Sequence, residues 1–240
     1  MLAHELRNPL GVIGNALALL DVSEDAQAQR DRARNVLRRQ TDHLARLLDD
    51  LLDVARITSG RIDLDRERVD LRSIAQHAVD TERHRFESKR QELILSLGTE
   101  PVMIDGDPVR LQQILGNLLI NASKYTPVGG SICVALMVEQ DAALLCIRDN
   151  GVGIPVDKLE SIFDLFTQAN PSLARTEGGL GVGLTLVRRL VELHGGSAHA
   201  SSEGSGHGSE SAVRLPLASG AALPSSQVRL LLTLRHSVCL

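Results

Sequence analysis

The 240-residue sequence predicts a helical hairpin followed by an α/β sandwich. Three observations carry this reading. Over roughly the first quarter of the chain, apolar residues recur at alternating steps of three and four, the spacing of one helix face. Beyond it, short β-branched and aliphatic runs alternate with helical patterns, which suggests one sheet under a helical layer. The side chains are 43% apolar and 2% aromatic, ample for a core that must be aliphatic.

In the first helix Leu6, Leu10, Ile13, Leu17 and Leu20 form a heptad seam. Residues 23–28 read as a polar turn. Leu37, Thr41, Leu44, Leu48, Leu51 and Ala55 continue the seam on a second helix, which stops near Ser59-Gly60. Two amphipathic helices cannot enclose a core alone, so pairing with a second copy into a four-helix bundle is expected. Residues 70–86 then read as a helix, 93–97 and 102–104 as strands, and 107–121 as a helix capped by Asp107. Residues 131–138 and 143–147 suggest a hairpin, 182–194 a helix after a glycine-rich stretch, and 197–201 and 212–215 the closing strands. The expected domains are 1–62, 63–218 and an unstructured tail, 219–240.

Composition excludes several functions. With no Trp, one Tyr and three Phe, base-stacking nucleic-acid modules are disfavoured, and a net charge of −4 offers no basic field for nucleic acid. Cys133, Cys146 and Cys239 are odd in number and widely spaced, indicating neither a disulfide framework nor a zinc site. No apolar run reaches the ~20 residues that span a bilayer, and no signal peptide is evident, so a cytoplasmic chain is expected.

Four segments carry chemistry. His4 lies opposite the Leu6/Leu10 seam and should face solvent with Asn8 and Gly11; Pro9 predicts a local kink. An exposed helical histidine is ordinarily inert surface, but this one has Glu5 beside it and an amide one turn on, a setting for a nucleophile whose ring proton Glu5 accepts. Asn117 and Asn121 share a helix face with Lys124 following. They form either a polar face or an amide oxygen for Mg²⁺ with a lysine for phosphate. Asp149-Asn150-Gly151-Val152-Gly153 after a strand is either a tight turn or an acceptor for the exocyclic amine of adenine. Gly179-Leu180-Gly181-Val182-Gly183 leads into a helix, where backbone N–H groups and the helix terminus favour phosphates; it is not a Walker loop. Phe163 and Phe166 read equally as core or as part of this site, and residues 167–177 are polar enough for a mobile lid.

Taken in order, these segments resemble the sensor histidine kinases of two-component signalling. His4-Glu5-Leu6-Arg7-Asn8-Pro9-Leu10 is similar to their H box, and residues 117–126 to the N box. Residues 149–153 resemble the first glycine box, 163–166 the F box and 179–183 the second glycine box. The resemblance covers residues 1–217 and implies a dimerisation and phosphoacceptor domain followed by a Bergerat-type ATP-binding domain. It implies a homodimer that uses ATP and Mg²⁺ and passes phosphate to an aspartate of a response-regulator receiver domain. By the same resemblance, His4 is autophosphorylated, Glu5 is its base and Asn8 positions water for dephosphorylation of the partner. Asn121 binds Mg²⁺ with Asn117 alongside; Lys124 touches phosphates, Tyr125 lines the pocket and Asp149 reads adenine. Gly151, Gly153, Gly179, Gly181 and Gly183 shape the site, with Phe163 and Phe166 beside it and Arg175 as a lid cation.

Gyrase-like and chaperone-like relatives of this ATPase fold carry a glutamate where Asn117 stands. No acidic residue occurs from Pro108 to Thr126, so transfer to His4 is favoured over hydrolysis. The chain starts three residues before His4 and ends in an unpatterned tail. That suggests a truncated, hybrid-kinase-like core whose parent protein is open to membrane association. The alternative is a catalytically impaired regulator that binds nucleotide or a receiver domain.

Overall fold

The computed structural model describes residues 2–22, 27–58, 63–168 and 181–219. Helix α1 spans Leu2–Val22 and α2 spans Gln27–Thr58. The two pack along their lengths. Helix α1 runs unbroken through Pro9, which is buried with Ala16, while α2 buries Ala33, Leu47 and Asp53. The expected seam is only partly covered within one chain: Leu10, Leu17 and Leu48 remain exposed, together with Val12, Leu19 and Leu52. Large aliphatic side chains are thus left exposed on both helices of the hairpin.

The second unit opens with strand β1 (Glu67–Asp70), which pairs antiparallel with β3 (Met103–Gly106). Sequence reading had no strand at β1, because Glu-Arg-Val-Asp holds one apolar residue and shows no burial alternation. Helix α3 (Leu71–Ser88) begins at once, since the Asp70 carboxylate accepts from the Arg72 N–H at 3.0 Å and the Ser73 hydroxyl at 2.6 Å. Strand β2 (Glu92–Ser96) follows, and then α4 (Pro108–Tyr125). The α4 start is doubly specified: Asp107 accepts from Val109 and Arg110 N–H, and Pro108 occupies a position whose N–H is not needed. Leu111, Ile114, Leu115, Leu118, Leu119 and Ala122 give α4 one buried stripe.

Strands β4 (Ser131–Glu139) and β5 (Ala142–Asp149) form the expected hairpin, in register from Ile132 opposite Asp149 to Glu139 opposite Ala142. Two short 3-10 turns, Val156–Lys158 and Ser161–Phe163, precede α5 (Gly183–Leu193), β6 (Ser197–Ser201) and β7 (Ser209–Pro216). The five-stranded sheet runs β2-β4-β5-β7-β6, with β2 parallel to β4 and every other pair antiparallel. Helices α3, α4 and α5 cover one face, and the core between the layers is aliphatic apart from Phe86. The α/β sandwich is as the sequence predicts.

His194, just past α5, ties the end of that helix to the start of α4. Its Nε2 accepts from the Asp107 N–H at 3.0 Å and its Nδ1–H donates to the Leu190 carbonyl at 2.7 Å. The ring is 2% exposed, and burial holds its pKa below the ordinary 6.5.

Candidate active site

A cavity of about 450 Å³ opens between α4, the end of β5, the start of α5 and α2. That size suits a small-molecule ligand. Helix α4 brings Asn117, Asn121, Lys124 and Tyr125 to its wall, because residues three and four apart share the face that flanks the core stripe. Lys124 Nζ lies 5.0 Å from the Tyr125 ring centroid.

The floor is the carboxylate of Asp149, 7% exposed at the end of β5. One oxygen accepts from the Gly151 N–H at 2.8 Å and the other from the Ser209 hydroxyl at 2.6 Å. Burial pushes its pKa above the ordinary carboxylate value, and hydrogen bonds from the Ser209 side chain, the Gly151 backbone and the Ser209 backbone only partly oppose this. The result is an anionic acceptor held rigidly in an apolar setting beside Ile147 and Ile154, ready for a donor from a ligand.

The loop after Asp149 is locked by close backbone approach. The Val152 N–H donates to the Tyr125 carbonyl at 3.1 Å, and a Cβ on Gly151 would collide with that same carbonyl. Gly153 has φ +69° and lines the cavity, whereas Gly151 supports it from behind.

Gly181, Val182 and Gly183 line the opposite end. Gly181 has φ +69° and its carbonyl accepts from the Phe166 N–H at 3.0 Å. The α5 N-terminus takes no side-chain cap among the described residues, so its first N–H groups face the cavity with the positive end of the helix dipole. The Thr185 hydroxyl in that first turn is buried and has no hydrogen-bond partner among the described residues. A Cβ on Gly183 would lie 3.3 Å from Asn117 Oδ1, so glycine leaves the approach to that amide clear.

These features fit a nucleoside triphosphate in one orientation. A buried acceptor and apolar walls suit adenine at the Asp149 end. Uncapped N–H groups, Lys124 and the amides of Asn117 and Asn121 suit phosphates and their cation at the α5 end.

The remaining sequence-predicted residues fall elsewhere. Phe163 and Phe166 do not line the cavity: Phe163 is buried, with the Arg188 guanidinium 5.6 Å from its ring centroid, and Phe166 sits at φ +64°, 45% exposed. Tyr125 is therefore the one aromatic of the four on the wall. Asn8 is exposed on α1. His4 and Glu5 are carried on α1, but their side chains lie outside the described residues, as do Arg175 and Gly179 altogether.

Sequence reading missed several wall residues. Ser209 pairs with Asp149 across the β5–β7 register, a relation that only strand pairing reveals. Leu47 and Asp49 come from α2, so the hairpin itself closes one side of the cavity. Leu47 and Val182 bury each other, with Leu51 beside them, although α2 periodicity alone reads as bundle seam. Among the described residues, no group of three His, Cys, Asp or Glu side chains could hold a metal ion, and no helix is long and apolar enough to cross a membrane.

Residues 1–60 match the family model of the His Kinase A (phospho-acceptor) domain, and residues 106–219 match that of the histidine kinase-, DNA gyrase B-, and HSP90-like ATPase. The chain is 36% identical to the circadian input-output histidine kinase CikA of Synechococcus elongatus over 219 residues, 90% of this chain and 29% of that protein. It is 35% identical to the sensor histidine kinase RcsC of Escherichia coli over 90% of this chain and 22% of that protein. The chain thus spans between about a fifth and a third of the length of these relatives. Among solved structures, full-length ShkA in complex with AMPPNP superposes with a TM-score of 0.69 at 30% identity, over 92% of this chain and 46% of that one. Histidine kinase AdeS of Acinetobacter baumannii shares the fold, with a TM-score of 0.66 at 22% identity over 89% of this chain and 98% of that one. With a phosphoacceptor match on the hairpin and an ATPase match on the sandwich, the chain belongs to the histidine kinase family.

Proposed function

We propose that this chain is the core of an ATP-dependent protein-histidine kinase, autophosphorylating His4 and passing the phosphate to an aspartate of a response-regulator receiver domain. The observation that carries the reading is the composite cavity. An adenine-type acceptor stands at one end, an uncapped helix terminus with Asn117, Asn121 and Lys124 at the other, and a wall of α2 next to the phosphate end.

Asp149 accepts the adenine amine, Tyr125 packs beside the nucleotide, and Lys124 neutralises phosphate charge. Gly181 and Gly183 let the backbone approach the phosphates, while Gly151 and Gly153 hold the adenine loop. Asn121 offers its amide oxygen to Mg²⁺, with Asn117 alongside; Mg²⁺ takes only one or two protein oxygens when phosphates and water supply the rest. For Arg175 and Gly179, which lie outside the described residues, the proposed phosphate contacts rest on the family resemblance alone. Phe163 and Phe166 support the site indirectly, through α5 and the Gly181 carbonyl.

The His4 imidazole attacks the γ-phosphorus with a ring-nitrogen lone pair. A nitrogen–phosphorus bond forms, the bond to the bridging oxygen breaks, and ADP leaves with that electron pair. Glu5 takes the proton from the other ring nitrogen. Asn117, an amide, cannot act as a base for water, which favours transfer over hydrolysis. Asn8, exposed one turn along α1, positions water in the reverse task of dephosphorylating the receiver.

The exposed Leu10, Leu17, Leu48 and Leu52 face supports a homodimer through a four-helix bundle. The proposed domains are residues 1–62, 63–218 and a tail over 219–240, and the proposed location is the cytoplasm. Incubation with γ-labelled ATP and Mg²⁺ tests the reading: acid-labile label on the wild-type chain and none on His4→Gln is expected. Label retained by His4→Gln overturns the assignment of the acceptor.

A further inference from the structure

Outside the cavity, one charged group is buried where the two units meet. Asp53, on α2, is 6% exposed. Its Oδ2 accepts from Arg110 at 2.8 Å and from the Gln113 amide at 2.8 Å, and the same Arg110 nitrogen donates to Gln113 Oε1 at 2.8 Å. All three partners close on one another, so the carboxylate keeps these protein partners only while α4 stays against α2, and undocking exchanges them for water. Arg110 and Gln113 sit in the first turns of α4, about two turns and one turn before Asn117 respectively, and Gln113 also lines the cavity.

The cluster does not act alone. Six residues earlier on α2, about 9 Å along the helix, Leu47 packs on Val182, between the two glycines that open α5. The unit is therefore held at two points, one polar at α4 and one apolar at the phosphate end of the cavity. The hairpin turns between Val22 and Gln27, so the backbone of His4 stands at about the height of Ala45, within one helical turn of Leu47. Docking at both points turns the phosphate end toward the hairpin at the level of the acceptor.

We propose that Asp53, Arg110 and Gln113 form a positioning latch that holds the ATP-binding unit on α2 with its phosphate end at the level of His4. The inference rests on the proposed autophosphorylation of His4. The apolar contact is small, so the hydrogen-bonded carboxylate sets the orientation, and a polar latch can also reopen once phosphate has moved and a receiver must reach the histidine. None of the three side chains touches the reacting atoms; they act through the placement of α4.

The test uses the full chain. Three quantities are read for wild type, Asp53→Ala, Arg110→Ala and Arg110→Lys: affinity for a fluorescent ATP analogue, His4 labelling rate at saturating ATP, and radius of gyration by small-angle scattering. For Asp53→Ala and Arg110→Ala, nucleotide affinity should stay within about threefold while the saturated rate falls at least about tenfold and the radius of gyration rises, because a misplacement of about an ångström suffices for such a loss. Arg110→Lys, which keeps a cation for Asp53, should recover most of the rate. A saturated rate within about twofold of wild type in both alanine variants overturns the latch, as does a rate loss with unchanged radius of gyration and equally weakened nucleotide binding. Should Asp53→Ala fail to fold, Arg110→Ala decides, since Gln113 still satisfies the carboxylate there. No label on wild-type His4 would instead overturn the proposed function.

Discussion

Replacing Asp149 by asparagine separates the cost of this carboxylate from its use. In the wild type the group is 7% exposed and its pKa is raised by burial. A raised folded-state pKa means that the ionised form is less favourable in the fold than in the unfolded chain. The resulting stability contribution is present below the ordinary value of 3.8 and is lost as pH rises through the folded value. Asparagine keeps the Oδ1 acceptor for the Gly151 N–H and turns its amide toward the Ser209 hydroxyl, giving up only the contribution of the Ser209 backbone N–H. Asp149→Asn should therefore melt at a higher temperature than wild type at pH 8 without nucleotide, and that difference should shrink as pH falls. Toward the adenine amine, the variant presents a second donor where the wild type presents an anion. Losing a hydrogen bond to a charged group costs about 2 kcal/mol, roughly 30-fold in affinity. Calorimetric titration with ATP and thermal melts with and without ATP measure both arms. ATP affinity within about threefold of wild type would refute the role of Asp149. A nucleotide-free variant less stable than wild type at pH 8 would refute the account of its burial.

Three further outcomes follow from the same geometry. Asn121→Ala should cut Mg²⁺-dependent labelling about 100-fold or more while leaving nucleotide binding in chelator nearly unchanged, as checked by label incorporation and analogue fluorescence. Asp107→Ala removes the cap of α4 and should lower stability by about 1–2 kcal/mol in a denaturant melt, because Val109 and Arg110 N–H lose their acceptor. The pKa of His194 is lowered by burial, so its contribution to stability is complete above the ordinary 6.5 and is lost as pH falls below it. Wild-type melting temperature should fall from pH 7 to pH 5, and His194→Gln, which can keep both hydrogen bonds without ionising, should flatten that slope.

The sequence made the α4 side of the site legible because helix spacing settles which residues share a face. Asn117, Asn121 and Lys124 are polar interruptions in an aliphatic helix, and the cavity is where they point. Asp149 was legible for a related reason: a strand ending in Asp followed by alternating glycines leaves the carboxylate at a turn. Pairings distant in sequence were hidden. Strand β1 carries one apolar residue and exists because β3 lies beside it. Ser209 reaches Asp149 only through the β5–β7 register. Leu47, Asp49 and Asp53 read as ordinary members of an amphipathic helix, and nothing in their spacing says that another unit docks there. The two phenylalanines stand beside the cavity rather than on its wall: Phe163 packs against Arg188 of α5, and the Phe166 N–H holds the Gly181 carbonyl.

The central claim is that the phosphate end of this cavity serves His4 rather than water. A single-turnover reaction of the full chain with γ-labelled ATP and Mg²⁺, in which label is divided between protein and free phosphate and the protein fraction is mapped by mass spectrometry, tests it directly. The account predicts that label appears first as acid-labile phosphohistidine at residue 4. Label released steadily as inorganic phosphate, with none on the protein at any time, would contradict it.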